Sequence, residues 1–211
     1  MALVRKELST LHDYMPSDAV ELAISFMKEY KIHLKIKRER KTILGDYRPS
    51  HNGKPHTISV NANLNIYHFL ITFVHEVAHL ITHTQHPRRV SPHGAEWKNN
   101  FAFLLHKFID LHIFPEDIKK ALYQSIHNLS ATTCSDPILF KTLYKYDNEN
   151  GKILVEHLSI NDIFKTEKGD KYLIKEKRRT RYVCENLHTK KIYLFPTLIF
   201  IYIIRSTVFL P

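Results

Sequence analysis

The chain has 211 residues, 44% of them hydrophobic, with 31 Lys and Arg against 21 Asp and Glu, a formal net charge of +10 and a pI near 9.5. That is long and apolar enough to bury an ordinary core, which excludes a disordered or fibrous chain. Two cysteines exclude a disulfide-stapled secreted module, and with no signal-peptide pattern they lead us to expect free thiols and a cytoplasmic protein.

In chain order, Asp18-x-x-Glu21 has the spacing of a capping box. It should open a helix to about Tyr30 with Val20, Ala23, Ile24 and Met27 on one face. His33 to Arg40 partly alternates basic and apolar residues, as a half-exposed strand does. Phe69 to Ile81 is a long apolar run without Gly or Pro, a helix to be buried almost all round. Pro92 and Gly94 break the chain before Trp97, Phe101, Leu104 and Leu105 recur at helical spacing. Pro115-Glu116-Asp117 starts a further helix to about Leu129, and the stretch through Cys134 and Pro137 reads as a linker.

Past the linker come short β-like runs, Ile153 to Leu158, Tyr172 to Lys175, Arg178 to Cys184 and Ile192 to Phe195. The apolar stretch Thr197 to Ile204, bracketed by Pro196 and Arg205, falls far short of the roughly 20 residues that span a bilayer. It is expected as a buried or edge strand, with no membrane partner.

The densest chemistry lies in His75-Glu76-Val77-Ala78-His79. A helix turns once per about 3.6 residues, so His75 and His79 share a face and can hold one Zn²⁺. Glu76 beside them suits deprotonation of a water whose pKa zinc lowers from about 15.7 to about 7. Two imidazoles and a carboxylate are costly in an apolar helix unless they pair or bind metal, although the motif is short enough to arise by chance.

A catalytic zinc takes three protein ligands. A His six residues beyond the second would be the metzincin solution, but Gln85 stands there and no Met follows the motif. Glu96 would answer to a thermolysin-like arrangement, and His83 and His86 lie close in sequence. His93 ends the polar loop and introduces the next helix, from which it could swing back over the first; taken alone, it reads equally as an exposed loop histidine.

HEVAHLITH followed by HGAEWK resembles the SprT-like family of zinc peptidases, whose Spartan-type members cleave proteins crosslinked to DNA. The resemblance spans approximately Pro16 to Leu129. It implies His75, His79 and His93 as ligands of one Zn²⁺ and Glu76 as general base. It also implies an α+β, zincin-like domain over residues 1–130, its active-site helix packed with a small antiparallel sheet that includes Ile43–Tyr47 and Thr57–Asn61. Residues 131–211 would be a small basic β-rich region. Where many such proteins carry a four-cysteine zinc ribbon, this chain has only Cys134 and Cys184, with His188 nearby, so a second zinc is not expected.

The positive charge is clustered. Lys175, Lys177, Arg179 and Arg181 would share a face of one strand, Arg178 adds a fifth cation, and Tyr182 could stack on an unpaired base. Lys35, Lys37, Arg38, Arg40 and Lys41 form a second group and Arg88-Arg89 a third. The functional expectation is a zinc endopeptidase recruited by sequence-indifferent DNA contacts to DNA-bound or crosslinked proteins. The alternatives are a non-catalytic DNA-binding protein stapled by zinc and a metallopeptidase with soluble protein substrates. Tyr47 and Tyr67 are the phenols considered for oxyanion stabilisation, and oligomeric state is not legible.

Overall fold

The computed structural model describes residues 11–40, 42–86, 90–127, 136–147 and 151–204; Lys41, Arg88, Arg89, Leu129 and Cys134 lie outside them. The chain is mixed α+β and divides into two compact units, Met1–Asp147 and Asn148–Pro211.

In the first unit a 3-10 turn, Ser17–Ala19, leads into helix α1, Val20–Glu29. The expected capping box does not form. The cap residue Ala19 has no side-chain acceptor, and the turn engages these amides instead, Ala19 N–H on Pro16 and Val20 N–H on Ser17. Asp18 and Glu21 are left to complement the helix dipole.

Strands β1 (Ile32–Lys37), β2 (Gly45–Arg48) and β3 (His56–Asn61) form a sheet in the order β1-β3-β2. It is mixed rather than antiparallel: β2 and β3 form a hairpin, while β1 runs parallel to β3 on its other side. The reason lies in the crossing segment after β1, which carries the chain past the end of β3 before β2 begins. Asn61, 1% exposed, fastens that crossing by donating to the carbonyls of Arg40 and Ile43 while accepting from Arg40 Nε.

Helix α2, Ile66–Gln85, is capped by Asn65, whose side chain accepts from the amides of Tyr67 and His68. Residues 68–78 are buried without interruption, as expected from the all-round apolar run. Ile58 and Val60 on one face of the sheet join Phe69, Phe73 and Val77 of α2 and Trp97, Phe101 and Leu105 of α3 (Ala95–Ile109) in one core. Helices α4 (Glu116–His127) and α5 (Pro137–Tyr144) complete the unit.

Helix α5 moves the domain boundary from the expected 130/131 to 147/148. Pro137 opens this helix at its first turn, with Asp136 capping Ile138 and Leu139, so these two residues, expected to end a linker, begin a helix. Asn65 Nδ2 then ties its end to the start of α2, donating to Leu143 O at 2.9 Å and Asp147 Oδ1 at 2.6 Å.

The second unit is a six-stranded antiparallel sheet, ordered β4-β9-β5-β6-β7-β8. Its strands are β4 (Lys152–Leu154), β5 (Ile163–Lys165), β6 (Lys171–Lys177), β7 (Arg181–Asn186), β8 (Ile192–Pro196) and β9 (Phe200–Ile204). Val155, Phe164, Tyr172, Ile174, Tyr182, Cys184 and Ile201 form its core. The apolar stretch before Arg205 is not an edge strand, because β9 pairs with both β4 and β5. Among the described residues no helix is long and apolar enough to cross a membrane.

Candidate metal centre and catalytic carboxylate

His75 and His79 lie one turn apart on α2, as their spacing requires, and the loop before α3 brings His93 to them. The chain folds back in a tight turn in which Gly94 N–H donates to Ser91 O at 2.9 Å, and His93 takes a left-handed conformation with φ of 58°. A Cβ at Gly94 would stand 2.9 Å from that same oxygen, so the turn accepts only glycine without shifting.

The three Nε2 atoms converge, with His75–His79 and His75–His93 at 3.2 Å and His79–His93 at 3.0 Å. These contacts cannot all be hydrogen bonds. A neutral imidazole nitrogen is either donor or acceptor, so of three mutually facing nitrogens at least two must be alike. A cation at the centre removes that conflict. Zn–N bonds of about 2.0–2.1 Å in tetrahedral geometry would separate ligand nitrogens by about 3.3 Å, close to the spacing found.

The rings are also held neutral, with lone pairs free. Burial pushes His75 down to about 3, with His79 and His93 adding to the effect, and burial and then His93 push His79 down to about 4. His93 is lowered by burial and by Lys98. Trp97 packs against all three rings, with centroids at 4.6 Å from His75, 5.3 Å from His79 and 4.7 Å from His93, and stacks on Phe101 beneath. Trp97 Nε1 and His75 Nδ1 are both buried without a hydrogen-bond partner among the described residues.

Glu76 is 7% exposed and pressed against β2. Burial pushes its carboxyl up to about 8, with Asp46 adding to the rise and Arg40 and the Tyr47 backbone amide opposing it. Gly45 makes this approach possible. A Cβ there would lie 2.6 Å from Glu76 Oε1, 2.8 Å from Thr72 Cγ2 and 2.9 Å from Glu76 Cγ. No motif singles out Gly45; the only signal in the sequence is a glycine in a segment expected to be a strand, which can mark close backbone approach.

Among the described residues, the three histidines are the one group of three or more metal-ligating side chains that converge. Glu96 sits in the first turn of α3, His86 caps α2, and His83 lies beside Tyr47 with ring centroids 6.1 Å apart. Tyr47 Oη is within hydrogen-bond distance of His56 Nδ1, at 3.0 Å, and burial pushes its pKa up to about 12, so the phenol keeps its proton at neutral pH. Tyr67 packs against Phe114 and Tyr146.

In the second unit the basic segment is a hairpin rather than one strand face. Lys175 sits at a bulge in β6, Lys177 ends that strand, Arg178 and Arg179 lie in the turn and Arg181 begins β7; all five are exposed. Tyr182 is 1% exposed in the core, with its hydroxyl donating to Glu156 O at 3.4 Å, so it cannot stack on a base. Alternation along β7 turns it inward together with Cys184, a buried free thiol whose pKa burial pushes up to about 11. His188 follows a turn in which its amide bonds Asn186 Oδ1.

No family model, curated protein or solved structure matches the chain.

Proposed function

We propose that this protein is a zinc-dependent endopeptidase of SprT-like type, zincin-like in its first unit and recruited by DNA to proteins bound or crosslinked to it. The observation that carries the reading is the convergence of three neutral His Nε2 atoms within 3.2 Å beside a buried carboxylate. His75, His79 and His93 would hold the ion. Bound Zn²⁺ supplies Lewis acidity, polarising a carbonyl and lowering the pKa of water from about 15.7 to about 7.

Glu76 handles the proton. With its pKa near 8, its carboxylate can accept the proton released as water oxygen bonds to the scissile carbonyl carbon, then deliver it to the amine nitrogen as the C–N bond breaks. Gly45 and the Tyr47 amide fix that carboxyl against β2. β2 is also an edge strand of its sheet, suited to pairing with an extended peptide. Recruitment is assigned to exposed cations, Lys175, Lys177, Arg178, Arg179 and Arg181 among them, contacting phosphates irrespective of sequence. A cytoplasmic location belongs to the same reading.

The test is cleavage of a DNA-binding protein by zinc-loaded enzyme, with and without single-stranded DNA, alongside Glu76→Gln. DNA-stimulated cleavage lost in the variant, with zinc retained, supports the reading. An intact substrate despite bound zinc and bound DNA overturns it in favour of a zinc-stapled DNA-binding protein.

A further inference from the structure

The face of the three-stranded sheet turned away from α2 carries a groove of about 350 Å³, bounded by β1, the β2–β3 hairpin and the segment after β1. Its lining holds the cations Lys35, Lys37, Arg40, Arg48 and Lys54 and one carboxylate, Asp46, which Arg48 already meets at 2.8 Å. Lys35, Lys37 and Lys54 have no ion pair among the described residues. Arg40 is held as a fixed cation, its guanidinium bonding Asn61 Oδ1 at 2.7 Å, Ser59 Oγ at 3.0 Å and the carbonyls of Leu44 and Ser59 at 3.4 Å. Every one of these hydrogen-bond acceptors is neutral, and the acidic group whose titration Arg40 influences is Glu76, which burial holds largely protonated.

We infer that this groove binds the phosphodiester backbone of a nucleic-acid strand, which places a recruitment site on the catalytic unit itself. The inference rests on the reading above for its biological use, but not for its binding chemistry. Lys35 and Lys37 point the same way from β1, and at about 3.3 Å per residue they stand about 6.6 Å apart. Cations spaced along a strand suit successive phosphates of a polymer better than one small anion, which needs donors converging on a point. Beside its cations the lining has His51 and Asn52 but no Phe, Tyr or Trp to stack on a base, so contact is chiefly with backbone and largely indifferent to sequence. It also offers no large apolar side chain to enter a lipid surface.

β2 gives the groove its relation to the candidate site. Successive residues of a strand face opposite sides, so Asp46 and Arg48 line the groove while Gly45 and Tyr47 face Glu76 and the helix. The two surfaces share one strand as their wall.

The experiment measures binding and requires no catalysis. Zinc-loaded full-length Glu76→Gln protein is titrated into a fluorescein-labelled single-stranded oligonucleotide, followed by anisotropy across a salt series. The same is done with Lys35→Glu/Lys37→Glu added and, as a control of equal charge change, with Lys28→Glu/Lys120→Glu added; circular dichroism checks the fold of each. The groove variant is expected to lose about tenfold or more in affinity and to flatten the log K against log salt slope by about 1.4, two phosphates at about 0.7 each. The control should lose much less.

Equal losses in both variants, no loss in either, or no oligonucleotide binding by the parent would overturn the assignment. So would groove-dependent binding of inorganic pyrophosphate or of phosphatidylserine vesicles with the oligonucleotide unaffected. Failure of peptide cleavage, by contrast, would count against the peptidase and leave this result standing.

Discussion

Glu76 lies against the backbone of Gly45 so closely that a single methyl group added there would come within 2.6 Å of its Oε1. The carboxyl group is buried, and the same methyl would also stand 2.8 Å from Thr72 Cγ2 and 2.9 Å from Glu76 Cγ, so relieving the clash requires more than a turn of the carboxyl group. Gly45→Ala should therefore bind zinc as the parent does, lose most hydrolytic activity and lose roughly 1–3 kcal/mol of stability through overpacking. Metal content, peptide hydrolysis and a denaturant melt check the three parts. Full activity in the alanine variant would show that the position of Glu76 is not critical.

Metal and fold should be coupled. A ligand that binds only the folded state stabilises it by about 4.1 kcal/mol at 1,000 times its dissociation constant. Adding Zn²⁺ to chelator-treated protein should raise its melting temperature, and His93→Ala should lose most of that rise while changing metal-free stability little. His83→Ala should keep it.

The metal-free protein should be most stable close to neutral pH. His68 and His79, each lowered to about 4, and His75, lowered to about 3, remain neutral in the folded chain while the unfolded chain takes up protons. Their contribution to stability is therefore lost progressively as pH falls from about 6.5 towards those values. Glu76 acts with the opposite sign: raised from 4.5 to about 8, it favours the folded state at low pH, and that advantage is lost as pH rises through this window. The two trends should meet in a maximum at about pH 7, where the protons taken up by the three unfolded histidines equal the one held by folded Glu76. Urea melts across pH would test this, and zinc should lift the alkaline limb by favouring the carboxylate. A metal-free optimum at pH 8 would contradict the proposed protonation of Glu76.

Tyr182 and Arg179 should separate cleanly. Tyr182→Ala empties a core position and should cost about 3–5 kcal/mol, as other large aromatic truncations do. Arg179→Glu, on an exposed turn, should leave stability within about 0.5 kcal/mol while weakening any phosphate contact. A melt of each variant settles the first point and an oligonucleotide titration the second.

The parts legible in the sequence were those with a short physical period. His75 and His79 share a helix face because four residues nearly complete a turn, and the buried length of α2 follows from an unbroken apolar run. His93 is marked in the sequence only by a motif resemblance, because its approach depends on a left-handed step at His93 that no periodicity encodes. Gly45 was invisible because its role is a distance between two elements separated by a hairpin. Pro137 reads as a break in the sequence, yet it serves as the first residue of a helix, where its missing N–H costs nothing. Tyr182 stands next to the cations in sequence but opposite them in space, because alternation along β7 pairs it with Cys184 in the core rather than with Arg181 at the surface.

The place of β9 sets an order of events in the second unit. It is the last described strand, yet it lies between β4, the first, and β5, and the two have no other ladder between them. During synthesis the β5–β8 meander can assemble as it emerges, but β4 must wait without a partner until residues 200–204 leave the ribosome. Closure of this sheet is thus a late, long-range step that follows translation of the whole unit, and slow folding of the kind governed by contact order is built into its topology.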